Sequence, residues 1–342
     1  MSISPKIKAL DPAFAIPGGD LVVECENFRV DHDAGFSVLV GGVEAFISAA
    51  SESRVLCRVP DGIERQQTEV VLDCGGIRSA PAAITIGREV VSGMHIVANP
   101  AIDPTTDELI VTRSGGRGQE LPATLFRVGK DGEVTEIPVS VMNPTGIAFD
   151  GEGTMYVTNR AAGELYAIDK FGDLRTVADG LGIATGVALG EDGAIYVGDR
   201  SGTVRRVSRS GRTEVFAIIE PSVAAYHLAF GPDGRLYVTA PGLSSHDSVR
   251  FVDTDGLDDV FARGFGRPQG IAFDRAGQLY AVACYRGRHG IVRISADGLT
   301  IKHFVAGNNI VGLCFTRNGD MIVATNDSAY SIPCGIFGTL LT

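Results

Sequence analysis

The chain has 342 residues, with 30 lysines and arginines against 41 aspartates and glutamates. The resulting formal charge of −11 opposes nonspecific attraction to nucleic acid or to an anionic membrane. An apolar content of 44%, with 44 glycines, no tryptophan and no apolar run near the ~18 residues of a membrane-crossing helix, describes a soluble, turn-rich, all-β chain long enough for two cores.

The opening, Met1-Ser2-Ile3-Ser4-Pro5-Lys6, has no long apolar stretch or small-residue cleavage site, so no secretory signal and a cytoplasmic location are expected. Residues 1–87 then alternate short strand patterns with turn signals: Pro17-Gly18-Gly19-Asp20, Gly41-Gly42, Pro60-Asp61-Gly62 and Gly75-Gly76. Alternation in Leu21 to Glu24, Val38 to Val40, Arg54 to Val59 and Glu69 to Leu72 predicts a small β-sandwich, expected to fold independently of the remaining three quarters of the chain. Cys25, Cys57 and Cys74 share strand parity with apolar neighbours and are expected as buried, reduced thiols. No Cys-x-x-Cys pair exists among the six cysteines, so neither a zinc knuckle nor a redox motif is supported.

From residue 88 the texture changes to a repeat. An apolar run, an acidic-glycine turn and a second apolar run recur five times, in Gly146-Ile147-Ala148-Phe149 with Met155-Tyr156-Val157, and then from Gly186, His227, Gly270 and Gly312. These starts are 40, 41, 43 and 42 residues apart, and a divergent sixth copy precedes them at Pro100-Ala101-Ile102-Asp103 with Leu109-Ile110-Val111-Thr112. A period of roughly 40 to 50 residues with two to four short strands per unit is the signature of β-propeller blades, here six over residues 88–342. One blade cannot cover both faces of its sheet, so the ring has to close. The last copy lacks an outer strand, which Ile84-Thr85-Ile86 or Val90-Val91 could supply from the N-terminal side.

Two resemblances rest on these residues. Pro5-Lys6-Ile7, Ile16-Pro17-Gly18-Gly19, Glu26-Asn27-Phe28, Val40-Gly41-Gly42-Val43-Glu44-Ala45 and Val59-Pro60-Asp61-Gly62 resemble the IPT/TIG family of immunoglobulin-like domains. The repeated Gly-Ile-Ala-Phe-Asp, Asp-Gly and Leu-Tyr-Val elements resemble NHL-repeat propellers and the related gluconolactonase/regucalcin family of six-bladed propellers. The second resemblance implies a ligand site at one end of the central channel, where inner strands begin and second strands end.

The positions opening the inner strands include Asn99, Thr145, Thr185, Tyr226-His227 and Gln269. Four of the six loops after second strands carry an arginine, Arg113, Arg160, Arg200 and Arg286, with Arg117, Arg267 and Arg288 nearby in sequence. Guanidinium groups clustered at one mouth would bind a carboxylate or phosphate bidentately, or else pair with loop carboxylates such as Asp199 and Asp327. The gluconolactonase resemblance implies a divalent cation such as calcium, magnesium or zinc. Of its ligand pattern only Asp199 matches clearly, as main ligand or catalytic base, with Asn99, Asn159 and Asn326 as neutral donors, which is less carboxylate than a hard cation usually has. A similarity to amidating-lyase propellers offers His227 with His246 or His95 as a zinc set, against a lone channel histidine that satisfies a backbone carbonyl. Gly115-Gly116-Arg117-Gly118 lacks the Lys-Ser/Thr of a phosphate loop, and Ser114 to Pro122 is expected as a surface flap.

The expected molecule is an all-β protein, an immunoglobulin-like β-sandwich followed by a six-bladed β-propeller. Its expected role is recognition of a small anionic molecule or acidic protein segment by Arg113, Arg160, Arg200, Arg286, Thr145, Thr185, Tyr226, His227 and Gln269. The alternatives are a metal-dependent hydrolase of lactones or sugar acids, with little such hydrolysis expected, and a self-associating scaffold.

Overall fold

The computed structural model describes residues 4–31, 33–115, 119, 121–244 and 246–339. Among them there is no α-helix, and every named element is a β-strand. The first sheet orders Lys6–Asp11, Asp20–Glu26, Arg54–Arg58 and Phe46–Ala50 in antiparallel register. Facing it are Phe36–Val40, Gln67–Cys74 and Ala82–Ile86. The period-2 patterns place Leu21, Val23, Val55 and Cys57 of one sheet against Val38, Val40, Val70 and Leu72 of the other, in one buried core that also takes Cys25 and Cys74. All six cysteines are free thiols. Burial pushes the Cys57 thiol up to about 12, which suits an inert core residue.

Six four-stranded antiparallel sheets follow as blades. Blade 1 is Ala101–Ile102, Leu109–Thr112, Leu125–Val128 and Val134–Glu136; blade 2 is Pro144–Phe149, Met155–Asn159, Glu164–Ile168 and Leu174–Ala178. Blade 3 is Ala184–Leu189, Ile195–Asp199, Thr203–Val207 and Thr213–Ile218, and blade 4 is His227–Phe230, Leu236–Thr239, Asp247–Val252 and Asp258–Gly266. Blade 5 is Ile271–Phe273, Leu279–Tyr285, Arg288–Ile294 and Ile301–Ala306. Blade 6 takes Ile310–Phe315, Asp320–Thr325 and Ala329–Pro333 from the C-terminal end, and its outer strand, Arg88–Val91, from the start of the repeat region. Of the two sequence candidates for that strand, Val90-Val91 therefore closes the ring, while Ile84-Thr85-Ile86 stays in the sandwich. Inner strands of successive blades touch all the way round, blade 6 meeting blade 1.

The sandwich does not stand apart. Phe14–Ala15 pairs in parallel with Thr85-Ile86 on one side and with Val305-Ala306 of blade 5 on the other, so one sheet runs from the sandwich into the propeller. Ile16 continues the seam, donating its N–H to Ala306 O at 2.9 Å and burying its side chain beside Tyr280, Phe304 and Ile332. The Arg288 guanidinium, only 13% exposed, holds Asp11 through its backbone carbonyl at 2.7 Å and its carboxylate at 2.5 Å. Gln66 reaches Ser331 O, and Asn308 reaches Gly18 O.

Candidate functional site

The repeat braces one end of the ring and leaves the other for chemistry. In four blades the aspartate of the first hairpin turn accepts the hydroxyl of the tyrosine in the following strand: Tyr156 on Asp150, Tyr196 on Asp192, Tyr237 on Asp233 and Tyr280 on Asp274. The second carboxylate oxygen takes N–H groups of the turn itself, as in Thr154 on Asp150 at 2.9 Å and Gln278 on Asp274 at 2.9 Å. Arg209 adds a bond to Asp150 at 2.7 Å, and Arg206 one to Asp192 at 2.8 Å. Burial works to raise the Asp150 pKa, but these donors outweigh it and hold the carboxyl below its ordinary value. These four aspartates are thereby fixed in structural turns at the end away from the inner-strand starts.

The channel between the inner strands holds a cavity of about 100 Å3 lined mainly by glycine, alanine and aliphatic or phenylalanine side chains. Gly338 seats on Phe315, bridges to Asp274 and closes the hairpin-turn end. Near the opposite end, Asn99 donates to Ile271 O at 3.0 Å and accepts from Leu313 N at 3.1 Å, stitching blades 1, 5 and 6. A Cβ on residue 270 would stand 2.2 Å from Asn99 Oδ1, so Gly270 is what admits this asparagine. His227 lines the cavity at 3% exposure, and its Nε2 has no partner among the described residues. Burial alone lowers the His227 pKa to about 4, so the ring is neutral near pH 7.

The other residues opening the inner strands are occupied inside the ring. Thr145 donates to Asn143 O, and Thr185 donates to Gly198 O while accepting from Tyr226 N. The Tyr226 hydroxyl donates to Glu220 O. All three are buried. Gln269 is half-buried and shares a cleft of about 290 Å3 with Arg267, Asn309 and Asn326, between blades 5 and 6.

The arginines divide. Arg288 belongs to the seam with Asp11 rather than to the mouth. Arg286 occupies a two-residue hairpin turn with φ of 49° and lies over the Tyr285 ring, 5.1 Å from its centroid. Arg117 lies outside the described residues. Arg160 and Arg200 stand in equivalent loops of blades 2 and 3, both half-buried, and neither makes an ion pair among the described residues; the expected alternative partners Asp199 and Asp327 hold none of them. Arg200 Nη2 donates to Val223 O at 2.7 Å, leaving its buried Nε without a partner among the described residues. Burial, and then the charge of Arg200, push the Arg160 pKa below the ordinary guanidinium value, so the two cations are close enough to repel. Arg113, in the equivalent loop of blade 1, is exposed.

The donors expected for a divalent cation do not fit one. Asp199 is buried and accepts from Ile183 N at 2.8 Å, Ser201 N at 3.2 Å and the Ser201 hydroxyl. Asn159 spends its Oδ1 on Ala161 N and Ala162 N and its amide on Glu164, Asn99 is committed as above, and Asn326 is exposed. Among the described residues no group of three histidines, cysteines or carboxylates could hold a metal. His95 uses its Nδ1 on Ser114 O at 2.6 Å. Asp199 serves here as a loop brace, its Oδ1 shared by two backbone N–H groups and its Oδ2 by the Ser201 hydroxyl.

Sequence reasoning missed the exposed apolar residues in these loops. Met142, Ile183 and Val223, in loops leading into inner strands, are 41%, 47% and 42% exposed, and Leu243 in a blade 4 loop is 96% exposed. Met142 and Val223 each lie four residues before the repeat's glycine position, so the same alignment that found the arginines contained them.

No family model and no curated protein matches the chain. Solved structures do. A candidate gluconolactonase aligns over 74% of this chain and 93% of its own, at 17% identity and a TM-score of 0.61. An auxiliary nutrient binding protein from Bacteroides thetaiotaomicron aligns over 96% and 97%, at 13% identity and a TM-score of 0.56. Virginiamycin B lyase from Staphylococcus aureus aligns over 70% and 94%, at 13% identity and a TM-score of 0.50. At these identities the likeness is one of fold, and it makes this chain a β-propeller protein.

Proposed function

We propose that this is a recognition protein, noncatalytic, in which an IPT/TIG-like sandwich of residues 1–87 supports a propeller of residues 88–342 whose mouth binds a small anionic molecule or an acidic partner segment. One observation carries the reading. Arg160 and Arg200 are two half-buried like charges on adjacent blades, with no carboxylate partner among the described residues. An anion between them would relieve their repulsion and make charge-assisted hydrogen bonds. The metal-dependent hydrolase alternative has no comparable support, because Asp199 and Asn159 are engaged by loop donors and no three histidines, cysteines or carboxylates gather into a metal site among the described residues.

The test is calorimetric titration of the full chain with citrate, gluconate and inorganic phosphate, beside Arg200→Ala. Binding of at least one anion is expected, weakened by about 1 to 3 kcal/mol in Arg200→Ala, the scale of a hydrogen bond to a charged group. Equal affinity in wild type and variant would make Arg200 a scaffold residue and end the proposal.

A further inference from the structure

At one position of the repeat the chain changes residue. The five aligned copies begin on Gly146, Gly186, His227, Gly270 and Gly312. At four of them the surroundings leave no room for a side chain: a Cβ would stand 2.6 Å from Thr185 O at residue 146, 2.7 Å from Tyr226 O at 186, 2.2 Å from Asn99 Oδ1 at 270 and 2.6 Å from Asn99 Cα at 312. Blade 4 departs from this pattern. The inner strand that follows it round the ring, Ile271–Phe273, has 3 residues where those of blades 2, 3 and 6 have 6, and the His227 imidazole is seated in the ring at 3% exposure. It lines the channel cavity of about 100 Å3, and its Nε2 is the one buried side-chain polar atom of that lining without a partner among the described residues.

The rest of the lining restricts what can reach this nitrogen. No lining residue carries a carboxylate, ammonium or guanidinium group, and burial keeps the imidazole neutral near pH 7, so the cavity is uncharged. Asn99, Thr185 and Tyr226 already bond to strands and loops of the ring. An ion would lose its hydration here with no counter-charge, which excludes the kind of ligand proposed for the mouth. A pure hydrocarbon would leave Nε2 desolvated and unpaired, whereas a hydroxyl donates to this nitrogen in one tautomer and accepts from it in the other. An engineered cavity of about 150 Å3 with apolar walls takes benzene, so a smaller one limits the occupant to roughly seven heavy atoms. From these observations we propose that the channel core is a second binding site, for a small uncharged molecule with a compact hydrocarbon body and one hydroxyl, of the phenol or short-chain alcohol class, whose hydroxyl pairs with His227 Nε2. Arg160 and Arg200 are not part of its lining, so it stands or falls separately from the anion site.

The experiment titrates the full chain, carrying ring-15N histidine, with phenol and with benzene, and follows the His227 resonance, assigned by its loss in His227→Leu. Phenol should bind saturably and shift the His227 Nε2 signal, and benzene should bind about tenfold more weakly, the scale of one hydrogen bond. In His227→Leu that preference should vanish or reverse. Ala188→Leu, which fills the cavity from a second wall, should weaken both ligands by about tenfold or more while leaving citrate binding unchanged. Equal affinity of wild type for phenol and benzene would overturn the assignment of His227 as the hydroxyl partner. Absence of binding by either, or binding indifferent to Ala188→Leu, would overturn the channel site itself. The two wild-type titrations decide the matter even where a variant fails to fold.

Discussion

Exchanging His227 for leucine should flatten the acid side of the protein's stability curve. In the native state the imidazole is enclosed by aliphatic residues of the channel, its Nε2 is unpartnered among the described residues, and its pKa is lowered from 6.5 to about 4. Above pH 6.5 the group is neutral whether the chain is folded or not, and it contributes no pH dependence. Between pH 6.5 and about 4 the unfolded chain takes up a proton that the folded one refuses, so stability falls as the pH falls, at 1.36 kcal/mol per pH unit when the difference is complete. The loss amounts to about 3 kcal/mol by pH 4 and then levels off. His303, lowered to about 4 mainly by burial and then by Arg288, and the hairpin aspartates contribute their own acid dependence, which the variant keeps. The quantity to measure is therefore the difference in urea-unfolding free energy between wild type and His227→Leu at pH 7, 6, 5 and 4, with the His227 ring resonance followed in parallel. That difference should shift in favour of the variant by about 3 kcal/mol from pH 7 to 4. Parallel curves, or a ring that titrates near 6.5, would show that water or a polar group reaches Nε2 and would refute the enclosed-channel description.

Two further outcomes rest on close contacts at the site and at the seam. Gly182 has φ of +72°, and a Cβ there would lie 2.4 Å from Asp199 Oδ2, whereas Gly180, at φ of +63°, has open space around it. Gly182→Ala should cost about 2 to 4 kcal/mol and Gly180→Ala about 1 kcal/mol, the difference being displacement of the Asp199 brace; equal urea midpoints would deny that brace. Arg288→Ala should cost about 1 to 3 kcal/mol and speed proteolytic cleavage between sandwich and propeller, and an unchanged cleavage rate would mean that the Phe14–Ala15 pairing and the other seam bonds hold without it.

The repeat made the ring legible because successive blades solve one packing problem with similar residues. The tyrosines of the Leu-Tyr-Val runs and the phenylalanines of the inner strands meet edge to face, as Tyr237 does with Phe273 at 4.7 Å and Tyr280 with Phe315 at 5.3 Å, so their period in sequence is the period of the fold. The seam was not legible, since it depends on Phe14–Ala15, two residues whose partners are set by tertiary placement and not by any local pattern. Alignment located Arg160 and Arg200, because equivalent loops repeat with the blades. It could not separate them from Arg288, whose side chain turns to Asp11, nor show that Asp199 is turned onto Ile183 N and the Ser201 hydroxyl. Those outcomes are decided by side-chain direction in irregular loops, where spacing carries no information about orientation.

The closing strand Arg88–Val91 also sets an order of events during synthesis. It leaves the ribosome before any blade exists, and its partner Ala329–Pro333 comes after every other blade strand, so the ring stays open until the whole repeat region has been made. Closure of so distant a pair is entropically slow for a free chain, and an open ring exposes unpaired strand edges. The sandwich shortens that search. Once Phe14–Ala15 has zipped onto Val305-Ala306 of blade 5, Gly87 delivers the waiting strand to the neighbouring blade, and the N-terminal module acts as a clamp that holds the gap to the width of one missing strand.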